Sequence, residues 1–74
     1  MTKLILEGIT QKGKNRIREN GPMWEIHART EKVLFNPEPG PWLFIAPVGL
    51  GQLAKQSRWI KEVNDVDFKI VSKI

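Results

Sequence analysis

The strongest chemical signal in this chain is a cluster of cations. Lys12, Lys14, Arg16 and Arg18 fall within seven residues, with no acid among them. Such a run selects phosphate or carboxylate. The lysine ammonium acts as a compact point charge, and the arginine guanidinium is a planar fork that meets two oxygens at once. The excess is local: residues 1–21 hold five cations and two acids, whereas the other 53 hold seven and six. Nucleic acid or an acidic protein surface is the partner this charge favours. Arg29 and Arg58 extend the basic set. Trp42, at the end of a proline-rich loop, offers an indole to stack on a base or anchor a protein contact.

Other chemistries lack their parts. The chain has no cysteine, no tyrosine and one histidine, His27. The hydroxyls Thr2, Thr10, Thr30, Ser57 and Ser72 therefore share a single candidate base, and no nucleophilic triad assembles. His27 alternates onto the polar side of its run and reads as a surface residue. A structural zinc site needs more thiol or imidazole ligands than are present. Gly49 and Gly51 make a bare G-x-G, without the third glycine of a dinucleotide fingerprint or the Gly-Lys-Ser/Thr of a phosphate loop. Asp65 and Asp67 lack the glycine and distal glutamate of a calcium loop. They suit an internal ion pair with Arg58 instead. The sequence thus predicts a binding module with no enzyme activity, no cofactor and no metal.

The elements that carry these residues read as strands. Apolar side chains recur with period two at Leu4 and Leu6, at Trp24, Ile26 and Ala28, at Val33 and Phe35, and at Phe68 and Ile70. In Trp42-Leu43-Phe44-Ile45-Ala46 both alternating sets are apolar, which predicts a strand covered on both faces. Turn residues interrupt the runs: Gly13, Asn20-Gly21-Pro22, the hairpin expected at Arg29–Lys32, the loop Asn36–Pro41 and Asn64-Asp65. The spacing predicts five or six short antiparallel strands in a small barrel or rolled sheet of SH3-like type. At most one short helix is expected, near Gln52–Gln56. In this scheme Asn15–Glu19 is extended and pairs across Asn20-Gly21 with Trp24–Arg29. The resulting basic hairpin places Arg16 and Arg18 beside Glu25, His27 and Arg29.

At 74 residues the chain has room for one domain, residues 1–74, with a small core. Three tryptophans and three phenylalanines supply much of that core, with Trp24 and Trp59 expected inside. A core of this size makes a homo-oligomer reasonable. The absence of cysteine, of a signal peptide and of any long apolar run predicts a cytoplasmic protein with no membrane partner.

The ordered pattern Lys12-Gly13-Lys14-Asn15-Arg16-Ile17, Gly21-Pro22-Met23-Trp24, Gly40-Pro41-Trp42-Leu43, Ser57-Arg58-Trp59-Ile60 and Asp65-Val66-Asp67-Phe68 resembles short uncharacterised bacteriophage proteins. The resemblance spans most of the chain. It implies a phage or prophage origin, a host-cell cytoplasmic location, and action by binding nucleic acid or modulating a host protein. It carries no catalytic residues.

Overall fold

The computed structural model describes residues 2–51 and 53–74. In chain order its elements are β1 (Lys3–Gly8), α1 (Gln11–Asn20), β2 (Met23–Thr30), β3 (Trp42–Pro47), β4 (Arg58–Lys61) and β5 (Phe68–Lys73). The strands form one antiparallel sheet in the order β4-β3-β2-β1-β5, with β4 and β5 at its edges. β1 to β4 are therefore a meander interrupted by the helix, and β5 returns to pair with β1.

Alternation places one face of this sheet inside. Leu4, Leu6, Trp24, Leu43, Ile45, Ile60 and Phe68 form the core, and Ile17, Ile26 and Ile70 pack against it. β3 is covered on both faces, as its sequence predicts. On the reverse side, Phe35 meets Trp42 edge-on at 6.0 Å, and Phe44 meets Trp59 at 5.1 Å. Trp59 is half-buried in this second cluster and lies outside the main core.

The turn after β4 brings the two edges of the sheet close together. Asp65 accepts at Oδ1 from the Lys61 N–H at 2.9 Å, and at Oδ2 from the Asp67 and Phe68 N–H groups at 3.1 and 3.2 Å. One carboxylate thus joins the last residue of β4 to the first of β5. Asn64 precedes it with φ 59°, a left-handed conformation that asparagine tolerates better than most residues. The Arg58 side chain completes the approach, with its guanidinium 5.4 Å from the centre of the Phe68 ring. The expected Arg58–aspartate ion pair does not form, because Asp65 is occupied by backbone donors and Asp67 by Thr10.

Several local expectations are corrected. Gln11–Asn20 is a helix, so the basic hairpin does not exist. Arg29–Lys32 is no tight hairpin: β2 ends at Thr30 and an eleven-residue connection runs to Trp42. Val33 forms only an isolated bridge to Asn36, around a turn through Leu34 and Phe35, in place of a strand. Prolines 37, 39 and 41 remove the N–H donors a further strand would need. Near the expected short helix, Gln52 lies outside the described residues. Leu53–Gln56 form turns, tied by the Ala54 N–H to the Gly51 carbonyl at 3.0 Å.

Candidate functional site

The site is α1, and its boundaries are set by local chemistry. Thr10 is the N-cap: its Oγ1 accepts from the Gly13 N–H at 3.1 Å. The same hydroxyl donates to Asp67 Oδ1 at 2.6 Å. This places a carboxylate at the positive end of the helix, where negative charge is favourable. At the other end the Gly21 N–H donates to the Ile17 carbonyl at 2.7 Å with φ 84°, and Pro22 prevents continuation. The Gly21 carbonyl then accepts from the Trp24 indole N–H at 3.1 Å, tying the helix exit to the core.

The helix docks through two residues one turn apart. Gly13 is buried against Gly8 and the Asp67 carbonyl, and Ile17 packs on the core. Everything else on α1 is polar. At about 100° per residue, Asn15 lies opposite this docked side, with Gln11 and Glu19 at about 40° to either side of it. Lys12 and Arg16 fall at about 60° and 100° on one flank, and Arg18 and Lys14 at the same angles on the other. The four cations are therefore brought together on one helix, but as two stripes with a neutral-to-acidic crest between them. Along that crest the Gln11 amide donates to Asn15 Oδ1 at 2.9 Å, and Arg18 donates to the same oxygen at 3.1 Å.

Charge on this helix is poorly compensated. Arg16 meets Glu19 at 3.9 Å, a weak exposed pair. Among the described residues, Lys12, Lys14 and Arg18 have no carboxylate within 4.0 Å. Off the helix Arg29, Lys61 and Lys73 are paired, whereas Lys3, Lys32, Lys55, Arg58 and Lys69 have no carboxylate within 4.0 Å among the described residues. What sets α1 apart is the clustering of its cations. The Lys12/Arg16 and Lys14/Arg18 pairs are like charges at i,i+4. Lys12 and Lys14 also sit at the end of the helix where cations are unfavourable, and its first turn holds no acid.

The remaining candidates lie elsewhere. Arg29 does not join the polar outer face, because a bulge at His27 shifts the register: Ile26 is opposite Ile45, but Ala28 is opposite Phe44. Beyond it Arg29 faces the same way as Leu43 and meets Glu62 and Glu31, each at 3.4 Å. Lys73 of β5 reaches the same Glu62 carboxylate at 3.3 Å. Desolvation by burial raises the Glu62 pKa, but the hydrogen bonds and charges of Lys73 and Arg29 outweigh it and hold the carboxyl below its ordinary value. Trp42, expected as an exposed anchor, is buried instead, with its indole N–H on the Glu38 carbonyl at 3.1 Å. Arg58 is half-buried over Phe68. His27 is half-buried at the bulge, and its Nε2 is buried without a hydrogen-bond partner.

One apolar surface bears no distinct mark in the sequence, where Val33 and Phe35 alternate as a strand would. Leu34 and Phe35 project from the β2–β3 connection, both exposed. With Thr30, Lys32, Val33 and Trp59 they line a depression of about 370 Å³. Among the described residues no group of three or more His, Asp or Glu side chains converges, and no helix is long and apolar enough to cross a membrane.

No family model, curated protein or solved structure matches this chain.

Proposed function

We propose that this chain is a small non-enzymatic module that binds nucleic acid through α1. The observation that carries the reading is the clustering on one helix of exposed Lys12, Lys14 and Arg18, with no carboxylate within 4.0 Å of them among the described residues. A helix needed only to cover β1 would be more stable with an acid in its first turn and mixed charge at i,i+4. Its N-terminal acid comes only from Asp67 through Thr10, and the like-charge pairs Lys12/Arg16 and Lys14/Arg18 are relieved when phosphates neutralise them. Fluorescence anisotropy with labelled oligonucleotides at low salt tests the reading. Binding in the micromolar range or tighter, weakened by salt, is expected; no binding at tens of micromolar overturns it.

The finer fold reading is a rolled, SH3-like sheet. It is supported by the return of β5 to β1 and by the Asp65 link between the two edges. The resemblance to bacteriophage proteins supports a phage origin and a host-cytoplasmic location for this module. A second reading, contact with a host protein, is favoured by the exposed Leu34 and Phe35 beside Trp59. In that case a host-lysate pull-down would recover a protein whose capture is lost in Phe35→Ala and retained in Lys14→Ala.

A further inference from the structure

The order of side chains around α1 suggests which nucleic acid it takes. We infer that α1 is a recognition helix for the major groove of duplex DNA, an inference that rests on the nucleic-acid reading above. The two cationic stripes, Lys12/Arg16 and Arg18/Lys14, stand on opposite flanks of a helix whose diameter with side chains is about 10–12 Å. The B-DNA major groove is about 12 Å wide and is walled by two phosphate backbones. A helix lying in it meets a backbone on each side. A single strand presents one backbone only, and the major groove of duplex RNA is too deep and narrow to admit side chains.

The crest between the stripes strengthens the assignment. It holds Gln11, Asn15 and Glu19, spaced four apart. Asparagine and glutamine are the side chains that pair bidentately with adenine N6 and N7, and glutamate accepts from cytosine N4. The only acid of the helix, Glu19, lies about 40° from Asn15 on the Arg16 side. It meets Arg16 at 3.9 Å, a weak pair that it exchanges for cytosine N4 on entering the groove. Asn15 Oδ1 accepts from Gln11 and Arg18 in the free protein, so pairing with adenine N6 exchanges one of these exposed hydrogen bonds for one to the base, while Asn15 Nδ2 donates to N7. Gly13 and Ile17, on the opposite side, fix the helix to β1 with this crest outward.

The test is selection from a randomised DNA duplex pool, followed by titration of the enriched duplex, its separated strands and the duplex RNA of the same sequence. Enrichment of an adenine-containing motif is expected, with the DNA duplex bound at least tenfold more tightly than the other two. Gln11→Ala/Asn15→Ala should abolish the enrichment while the circular dichroism spectrum stays that of the folded wild type. Both residues lie on the side of α1 away from the sheet, and Asn15→Gln serves as a second variant that should change the motif. Equal affinity for duplex and single strand, or duplex binding without enrichment, overturns the groove assignment and leaves the nucleic-acid reading standing. Absence of binding to all three probes overturns both.

Discussion

The backbones of Gly8 and Gly13 are in contact. A Cβ on Gly8 would lie 2.3 Å from the Lys14 nitrogen, and one on Gly13 would lie 3.3 Å from the Gly8 Cα and 2.1 Å from the Asp67 carbonyl oxygen. The first turn of α1 therefore rests directly on the end of β1 and on Asp67, the residue before β5, with no side chain between. All the opposing atoms are backbone and cannot swing aside.

Gly13→Ala follows from this contact. Helix propensity alone predicts a gain of about 1 kcal/mol, since alanine is the better helix former. The contact predicts the opposite sign, a loss of about 1–3 kcal/mol from forced backbone displacement. Urea unfolding followed by circular dichroism gives the sign directly; a stabilised variant would refute the close packing.

Thr10→Ala removes the N-cap and leaves Asp67 Oδ1 without its hydroxyl donor. A loss of about 1 kcal/mol is expected, with fraying concentrated in the first turn of α1. Hydrogen exchange of the Gly13 and Lys14 amides, compared with that of the β3 amides, would locate the effect.

Glu62 should make stability pH-dependent. Its folded pKa lies below its unfolded value, so its contribution is fully present above the ordinary carboxylate pKa. The contribution fades as pH falls through the lowered folded value, when Arg29 and Lys73 lose their shared partner. Thermal midpoints between pH 7 and pH 2 for the wild type and Glu62→Gln should differ most at the top of this range and converge at the bottom.

Trp42→Ala should act on folding rather than on a binding surface. Removing a buried aromatic costs about 3–5 kcal/mol, much of the net stability of so small a domain. Circular dichroism at 25 °C should show a large unfolded fraction. A folded variant that had lost only partner affinity would contradict the buried position.

Salt dependence reports the two stripes. If all four cations meet phosphate, the log–log slope of affinity against salt is about −3.6, a loss of roughly a hundredfold between 50 and 200 mM. Lys12→Ala and Lys14→Ala should each flatten it by about 0.9. Lys61→Ala should leave it unchanged, because Lys61 lies on β4 and pairs with Glu38 at 3.1 Å.

Much was legible from periodicity. Alternation marked β1, the start of β2, β3 and β5, and the doubly apolar pattern of β3 matches its covered faces. β4, with four residues, is too short for a period to show. The helix left local signs, Thr10 before it and Gly21-Pro22 after it, but its only apolar contacts are Gly13 and Ile17. Gly13 therefore read as a turn, and Ile17 as one tooth of a strand. What makes Gln11–Asn20 helical is partly remote: the cap hydroxyl is shared with Asp67, 57 residues away, and Gly13 fits a gap that Gly8 of β1 and the Asp67 backbone create together. Arg29 follows the same rule, since a bulge at His27 is defined only by the register of β2 against β3.

By itself, then, the sequence determined a mostly β chain and located its excess charge at Lys12–Arg18. Those properties follow from residue type and short-range spacing. Only tertiary structure decided that the charge rides on a helix as two stripes around Gln11, Asn15 and Glu19. The decision belongs to backbone contacts and shared hydrogen bonds between residues far apart in the chain, which no local pattern encodes.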